Sequence, residues 1–320
     1  MNLMINNYCN FKCSYCFAQE TMHSKNATNV TMENFCIYLD WLKQAGEPHV
    51  RLIGGEPTMH PQLEALIDKV IEYDYFKDIL IFSNFSFKPE ITEMLISKSQ
   101  KIQLRFLPNI NNFNLLLPTQ RERILYNLDM LTAAIPDFRN LGVNIYSPDM
   151  DLTQWEDLIC KYDISDLRFS IVLPNEKLPE DFDFYTFFHS YQDLLLQMAE
   201  LSVKYGVHLN CDCNGLPICC FDDDAVITLM KVCPEIFGRP YCDTPSLDLT
   251  VDLYANGCFV CGTDAPRHIT EFKNLHELQS FYREEREGRF SGVPRKECYT
   301  CKRYEKNGAP CSCWSYRKDI

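Results

Sequence analysis

The stretch Leu3-Met-Ile-Asn-Asn-Tyr-Cys9-Asn-Phe-Lys-Cys13-Ser-Tyr-Cys16 joins a short apolar run to three cysteines in the pattern C-x-x-x-C-x-x-C. The apolar run predicts a buried strand, and the cysteines predict a loop that offers three thiolates to one inorganic cluster. A cubane of four irons and four sulfides has four iron corners, so three protein ligands leave one iron open to another molecule. Zinc is the alternative, but it needs a fourth ligand, which a distant Cys or His would have to supply.

Strands and helices alternate outward from this loop as far as residue 205. The predicted strands are Leu3–Ile5, His49–Ile53, Ile79–Phe82, Lys101–Leu107, Val143–Tyr146 and Leu167–Leu173. The predicted helices are 31–43 with Thr31 as N-cap, Leu63–Tyr73, 117–135 and Phe184–Tyr205. This alternation predicts βαβ units and a parallel sheet, with ligands at the carboxyl ends of the strands. The expected fold is α/β, a partial (β/α)6-type barrel over residues 1–205.

Polar and glycine residues follow the second and third predicted strands. Gly54-Gly55-Glu56-Pro57 comes directly after the second strand, where two glycines let a ligand approach the backbone and Glu56 can accept a hydrogen bond from an ammonium group. Ser83-Asn84 ends the third strand. For both, an ordinary turn is the alternative.

The cysteine pattern, with the aromatic Tyr15 before its third cysteine, resembles the signature of the radical S-adenosylmethionine (radical SAM) superfamily. The resemblance implies that Cys9, Cys13 and Cys16 hold a 4Fe–4S cluster whose open iron binds S-adenosylmethionine (SAM). It implies that Gly54, Gly55, Glu56 and Pro57 hold the SAM amino group, that Ser83 and Asn84 contact the ribose, and that Tyr15 packs against the cluster. Reductive cleavage of SAM to a 5′-deoxyadenosyl radical would follow, with an electron donor such as flavodoxin or ferredoxin.

Twelve of the 17 cysteines lie between residues 211 and 313. We expect a domain boundary near residue 206 and a small cysteine-rich α+β domain over 206–320. Asn256-Gly257 predicts a hairpin turn that presents two cysteines on its return strand. The region resembles the SPASM and Twitch auxiliary-cluster domains of radical SAM enzymes, which implies at least one auxiliary 4Fe–4S cluster, and two clusters or a zinc ribbon are the alternatives. The expected ligands are Cys242, Cys258, Cys261, Cys298, Cys301, Cys311 and Cys313.

The composition of the chain argues against some classes of binding partner and location. Lys and Arg number 31 against 44 Asp and Glu, for a net charge of −13, which argues against nucleic acid. The start of the chain has no signal peptide pattern, and no window is apolar enough for a membrane span. We expect a cytoplasmic protein whose cysteines are metal ligands more than disulfides.

The resemblance leaves two substrate classes open. One is a ribosomal peptide that is crosslinked, epimerised or oxidised, and the other is a small alcohol or sugar that is oxidised or dehydrated. The peptide class is favoured by the many tail cysteines. Because the first cluster cysteine is residue 9, a separate protein would recognise a leader peptide. A non-catalytic, metal-stabilised interaction module is a third hypothesis.

Overall fold

A computed structural model of the chain describes residues 1–16, 27–172, 182–212, 215–237, 247–257, 266–290 (backbone only for 286–290) and 298. The chain divides into two compact units. Unit 1 comprises Met1–Gly142, Ser246–Gly257 and Asp264–Ser280, and unit 2 comprises Val143–Pro245, Cys258–Thr263 and Phe281–Ile320. The boundary near residue 206 stays a prediction.

The described residues form parallel strands interleaved with helices, as the sequence predicted. The strands are β1 (Asn2–Met4), β2 (His49–Ile53), β3 (Asp78–Ser83), β4 (Gln103–Pro108), β5 (Asn140–Ile145), β6 (Asp166–Ile171), β7 (His208–Cys211), β8 (Asp248–Leu249), β9 (Tyr254–Asn256) and β10 (Arg267–His268). The helices are α1 (Met32–Gln44), α2 (Leu63–Glu72), α3 (Pro89–Ser99), α4 (Pro118–Ala134), α5 (Thr153–Tyr162), α6 (Phe184–His189), α7 (Gln192–Tyr205), α8 (Asp223–Val232) and α9 (Leu275–Phe290). None of the described helices is both long and apolar enough to cross a membrane.

Unit 1 is built on a sheet with the strand order β10-β9-β8-β1-β2-β3-β4. Strands β8, β1, β2, β3 and β4 pair in parallel, so their carboxyl ends lie along one edge. The centre of the sheet is shielded from solvent, because Leu3, Leu52 and Ile81 are fully buried. The apolar strand cores therefore fix the register in which the following loops meet.

The ladder of unit 1 continues beyond β4. An isolated parallel bridge joins Asn109 to Gly142, at the start of β5. Strands β5, β6 and β7 form a second sheet, and β6 pairs with β7 in parallel. This mixed α/β arrangement of parallel strands confirms the predicted fold class.

Helix starts follow the sequence signals. Thr31 Oγ1 accepts a hydrogen bond from the Asn34 N–H at 3.1 Å, which confirms Thr31 as the N-cap of α1. Pro89 and Pro118 occupy the first positions of α3 and α4, where the missing proline N–H costs no helical hydrogen bond.

One predicted helix is broken in the structure. The expected single helix Phe184–Tyr205 is wrong, because the helical hydrogen-bond pattern is interrupted at Ser190 and Tyr191, where the Tyr191 N–H donates to the Phe188 carbonyl at 3.2 Å. The Ser190 hydroxyl donates to the Phe187 carbonyl at 2.7 Å, and Tyr191 has φ −87° and ψ −1°. A serine that bonds back to the preceding turn competes with the helical ladder.

A hairpin forms, but it precedes the predicted one, whose return strand (residues 258–261) lies outside the described residues. Strands β8 and β9 pair antiparallel, and the turn comprises residues 250–253, where the Leu253 N–H donates to the Thr250 carbonyl at 2.9 Å. Asn256 is the last residue of β9 and is not in that turn. Leu253 has φ +62° and is buried, so burial of its side chain offsets an unfavourable backbone conformation.

Candidate metal centre and cofactor site

The three cysteines of the C-x-x-x-C-x-x-C pattern lie in the loop after β1, and all three are half-buried thiols. The Cys16 N–H donates to the Cys13 carbonyl at 3.1 Å, which turns the loop between these two residues. The Phe11 N–H donates to Cys9 Sγ at 3.4 Å. The loop thus presents three sulfurs within eight residues of sequence.

Burial at Cys9 disfavours the thiolate charge of this residue unless a cation is present. Burial raises the pKa of the Cys9 thiol to about 12, the Phe11 N–H opposes the rise, and the nearby Glu56, Cys13 and Cys16 add to it. Iron supplies the compensating positive charge, and metal coordination deprotonates a thiol. The donor set therefore fits an iron–sulfur cluster chemically.

A cluster places different demands on its ligands than a single ion does. Within the described part of the chain, no three His, Cys, Asp or Glu side chains are grouped so that they could hold one metal ion. In a cubane cluster each thiolate binds a separate iron, so the sulfurs need not converge on one point. Cys9, Cys13 and Cys16 are the residues that would hold such a cluster.

The loop after β2 is hydrogen-bonded to the chain just before Cys9. The Gly55 N–H donates to the Asn6 carbonyl at 3.0 Å, and the Glu56 N–H donates to the Tyr8 carbonyl at 2.9 Å. The Asn6 side chain returns a bond from Nδ2 to the Glu56 carbonyl at 2.8 Å. These bonds extend the β1–β2 pairing and hold the Gly54–Pro57 loop beside the cysteine loop.

Gly54 is required by the protein's own packing. A Cβ at this position would lie 2.4 Å from Asn6 Oδ1 and 2.8 Å from the Asn6 carbonyl oxygen. Atoms at such separations overlap, so a side chain would push the two loops apart. The sequence predicted a close approach of the backbone at Gly54, and the neighbour that the structure places there is Asn6.

Glu56 is buried and ties the loop after β2 to the end of β3. Its Oε1 accepts bonds from the Thr58 hydroxyl at 2.6 Å, the Thr58 N–H at 3.2 Å and the Ser83 hydroxyl at 2.8 Å. Its Oε2 accepts the Asn84 N–H at 2.7 Å. Burial raises the pKa of Glu56, and these hydrogen bonds oppose the rise. A carboxylate oxygen accepts about two hydrogen bonds. Oε2 accepts the Asn84 N–H, and it is therefore the oxygen that can accept a further bond from a ligand ammonium.

Pro57 and Ser83 support this arrangement from inside the protein. Pro57 is buried at the start of a 3-10 turn, Pro57–Met59, that Glu56 caps. Ser83 is buried as well, and its hydroxyl donates to Glu56 and accepts the Phe85 N–H at 3.0 Å. The contacts of the Ser83 hydroxyl are thus internal, and its predicted ribose contact stays a prediction.

Asn84 connects the end of β3 to the cysteine loop. Its Nδ2 donates to Asn10 Oδ1 at 2.8 Å and reaches Cys9 Sγ at 3.6 Å. The backbone of Ser86 fixes both amides, because its N–H donates to Asn84 Oδ1 at 2.9 Å and its carbonyl accepts Asn10 Nδ2 at 3.1 Å. This closed ring determines which end of each amide faces the sulfur.

A second amide reaches the cysteine loop from the segment after β4. Asn111 Nδ2 donates to Cys13 Sγ at 3.1 Å, and the Tyr15 hydroxyl donates to Asn111 Oδ1. Sequence reasoning missed Asn111, since an asparagine after a strand has no distinguishing pattern. Tyr15 is half-buried next to Cys16, and its predicted packing against a cluster stays a prediction.

The loop after β3 is held in an unusual backbone conformation. Phe85 has φ +62°, a left-handed conformation that bulky residues rarely adopt. Asn127 of α4 donates from Nδ2 to the carbonyls of Phe85 and Phe87 at 2.8 and 3.0 Å. The Phe85 ring packs edge-to-face on Phe87 and Phe106. These contacts offset the backbone strain and set the direction in which Asn84 points.

The auxiliary-cluster ligands are mostly beyond what the structure describes. Cys298 is described and is half-buried. The other predicted ligands lie outside the described residues, namely Cys242, Cys258, Cys261, Cys301, Cys311 and Cys313. The auxiliary ligand set therefore stays a prediction.

Curated relatives match part of the chain. The GTP 3′,8-cyclase of Ectopseudomonas mendocina (strain ymp) is 23% identical over 142 residues, which cover 44% of this chain and 42% of the cyclase. The GTP 3′,8-cyclase of Aquifex aeolicus (strain VF5) is 27% identical over 150 residues, 45% of each chain. The chain thus matches less than half the length of these relatives.

Solved structures resemble a larger part of the chain. The crystal structure of Streptococcus suis SuiB bound to S-adenosylmethionine has a TM-score of 0.61 and 14% identity, covering 94% of this chain and 70% of SuiB. The crystal structure of SuiB bound to precursor peptide SuiA has a TM-score of 0.62 and 14% identity, covering 94% of this chain and 68% of SuiB. At this identity the likeness is one of fold.

The family comparison covers the described site. The model of the Radical SAM superfamily matches residues 3–151. That range includes the three cysteines, Gly54–Pro57, Ser83 and Asn84, and the loop that carries Asn111. The α/β fold with its parallel sheet is consistent with a partial radical SAM barrel. Residues 3–151 of the chain are therefore similar to the Radical SAM superfamily, and this stretch holds the site described above.

Proposed function

We propose that this protein is a radical SAM enzyme that binds a 4Fe–4S cluster at Cys9, Cys13 and Cys16 and SAM beside it. The observation that carries the proposal is the hydrogen-bonded network of the strand-end loops. In that network Asn84 contacts both the carboxylate of Glu56 and the sulfur of Cys9. The ligands for a cluster and the acceptor for an amino acid ammonium are thus adjacent.

A cluster held by Cys9, Cys13 and Cys16 would, when reduced, supply the one electron needed to cleave the C5′–S bond of SAM to methionine and a 5′-deoxyadenosyl radical, which would take one hydrogen atom from the substrate. The chain's own residues position these partners. Glu56 Oε2 accepts the methionine ammonium, and the buried loops around Asn6 and Ser83 exclude water. The amides of Asn84 and Asn111 fix the cysteine sulfurs.

For the substrate, we propose a peptide. The fold likeness to SuiB, crystallised with its precursor peptide, extends over 94% of this chain and supports that class. A nucleoside triphosphate is disfavoured by charge. In the described strand-end loops of unit 1 (residues 5–16, 54–62, 84–88 and 109–117), the Lys and Arg residues are Lys12 and Lys88 alone. Phosphate recognition commonly needs several cationic donors.

The substrate class can be tested by measuring deuterium transfer from a labelled substrate to 5′-deoxyadenosine. Reduced enzyme and SAM are incubated with a deuterated candidate precursor peptide, and the 5′-deoxyadenosine is analysed by mass spectrometry. Deuterium transfer from the peptide, absent with Cys13→Ala, supports peptide modification. Transfer from a deuterated sugar or small alcohol alone favours the small-molecule class. A protein that never cleaves SAM, and whose Cys13→Ala variant binds partners unchanged, would be an interaction module.

We also propose at least one auxiliary 4Fe–4S cluster in the cysteine-rich region, supported by the twelve cysteines between residues 211 and 313. Iron and sulfide are measured on anaerobically purified protein. About eight irons per chain supports the proposal, whereas about four irons together with zinc contradicts it. The proposed setting is cytoplasmic, with flavodoxin or ferredoxin as donor and a separate protein that recognises the leader peptide.

A further inference from the structure

We propose that Asn111 is a positioning residue that sets the reduction potential of the cluster by donating a hydrogen bond to Cys13. This inference rests on the proposed function, because it needs a cluster at the three cysteines. It goes beyond that function, since neither the cysteine pattern nor the Gly54–Pro57 loop involves the segment after β4.

The contact between Asn111 and Cys13 is shorter than either of the two donor–sulfur contacts of Cys9. Asn111 Nδ2 lies 3.1 Å from Cys13 Sγ, compared with 3.4 Å from the Phe11 nitrogen to Cys9 Sγ and 3.6 Å from Asn84 Nδ2 to Cys9 Sγ. The Tyr15 hydroxyl donates to Asn111 Oδ1, so the amide presents its N–H groups to the sulfur.

The backbone before Asn111 is held on both sides. The Asn109 N–H donates to the Ser83 carbonyl at 2.8 Å, and the Ile110 N–H donates to the Gly142 carbonyl at 3.0 Å. Ile110 is also buried. The amide of Asn111 therefore starts from a fixed position, and its contact with Cys13 spans 98 residues of sequence.

Hydrogen bonds to ligand sulfurs tune the potential of a cluster. The reduced cluster carries one more negative charge than the oxidised cluster, and part of it lies on the thiolate sulfurs. An N–H donor stabilises that extra charge, because hydrogen bonds to charged acceptors are stronger than those to neutral ones. Loss of the Asn111 donor should therefore lower the reduction potential.

The test is a reductive titration of the reconstituted holoprotein without SAM. It follows the electron paramagnetic resonance signal that is lost when Cys9, Cys13 and Cys16 are all replaced by alanine. Asn111→Leu removes the donor at nearly equal size, and Asn111→Asp replaces it with an acceptor. At a fixed ambient potential, we expect the ratio of reduced to oxidised cluster to fall roughly threefold or more in Asn111→Leu. The fall should be larger in Asn111→Asp and smaller in Tyr15→Phe, which only loosens the amide.

The matched control is Asn112→Leu in the same loop. Asn112 Oδ1 accepts the Asn114 N–H at 2.9 Å and caps a 3-10 turn, so its loss disturbs the loop without removing the Cys13 contact. An unchanged ratio in both Asn111 variants, or an equal fall in Asn112→Leu, overturns the inference. If Asn111→Leu does not assemble a cluster, the ratio of reduced to oxidised cluster in Asn111→Asp decides whether the inference holds. A wild-type protein with no cluster signal contradicts the proposed function itself.

Discussion

At the scale of single residues, Glu56 binds two loops together through one carboxylate. It accepts bonds from Thr58, Ser83 and the Asn84 N–H while almost fully buried. Glu56→Gln replaces one accepting oxygen with an NH₂ group that faces donors. We expect a loss of about 1–3 kcal/mol in the free energy of unfolding, measured by chemical denaturation of the apoprotein.

The control for this change is Glu93→Gln, at an exposed position of α3. It should change the free energy of unfolding by less than about 0.5 kcal/mol. Equal stability of Glu56→Gln and wild type would show that the carboxylate does not tie the loops.

Gly54 gives a second prediction at this scale. In Gly54→Ala the new methyl group overlaps Asn6, so the Gly54–Pro57 loop must move away from the cysteine loop. We expect a loss of about 1–3 kcal/mol in stability and reduced iron loading, measured as iron per chain after reconstitution.

Gly46→Ala is the matched control, since Gly46 has φ +74° with no atom near a Cβ, and it precedes β2 at the other end of that strand. It should lower stability through backbone strain and leave iron loading unchanged. Normal iron loading in Gly54→Ala would contradict the proposed junction between the loops.

Residues with a recognisable spacing were predictable, and those without one were not. Cys9 and Glu56 follow strands in local sequence patterns, and these patterns predicted a cluster ligand and a hydrogen-bond acceptor. Asn10 and Asn111 contact the same cysteine loop, but an amide is common in loops and its partners come from distant strands. The sheet pairing that brings them together is a property of the fold and not of local sequence.

At the scale of elements, α4 supports the loop after β3 through one buried side chain. Asn127 donates to the Phe85 and Phe87 carbonyls and accepts the Thr92 hydroxyl at 2.5 Å. Asn127→Leu leaves these groups unpaired and releases the strained Phe85 backbone. We expect a loss of about 2–4 kcal/mol in the free energy of unfolding.

The same variant should weaken SAM binding to the holoprotein, measured by isothermal titration, because Asn84 loses its fixed direction. Glu122→Gln, exposed on α4, should change neither quantity. If Asn127→Leu is destabilised but still binds SAM as tightly as the wild type, the prediction that Asn127 supports SAM binding through Asn84 is contradicted.

The boundaries of helices and strands show which structural features local sequence patterns can predict. The bounds of β2 and the N-cap of α1 were predicted because apolar alternation and a threonine cap are local signals. The break at Ser190 was not, since it depends on one hydroxyl returning to the Phe187 carbonyl. The turn at 250–253 was not predicted either, since it lacks an Asn-Gly pair and contains the buried Leu253 at a positive φ.

At the scale of the whole molecule, unit 1 joins segments that are far apart in sequence. Strand β8 pairs in parallel with β1, and Asn2 Nδ2 donates to Asp248 Oδ1 at 2.6 Å. The strand that leads into the cysteine loop is therefore flanked on both sides. The hydrogen-bonded network from Cys9 to Asn111 lies within Met1–Gly142 of this unit.

The central claim is that Cys9, Cys13 and Cys16 hold a cluster with one iron open to SAM. The most direct measurement is electron paramagnetic resonance of the anaerobically reduced protein, recorded with and without SAM. We predict a 4Fe–4S signal that SAM changes, and the loss of this SAM-sensitive signal when all three cysteines are replaced by alanine. A spectrum that SAM leaves entirely unchanged, or a SAM-sensitive signal that survives the triple substitution, would contradict the account.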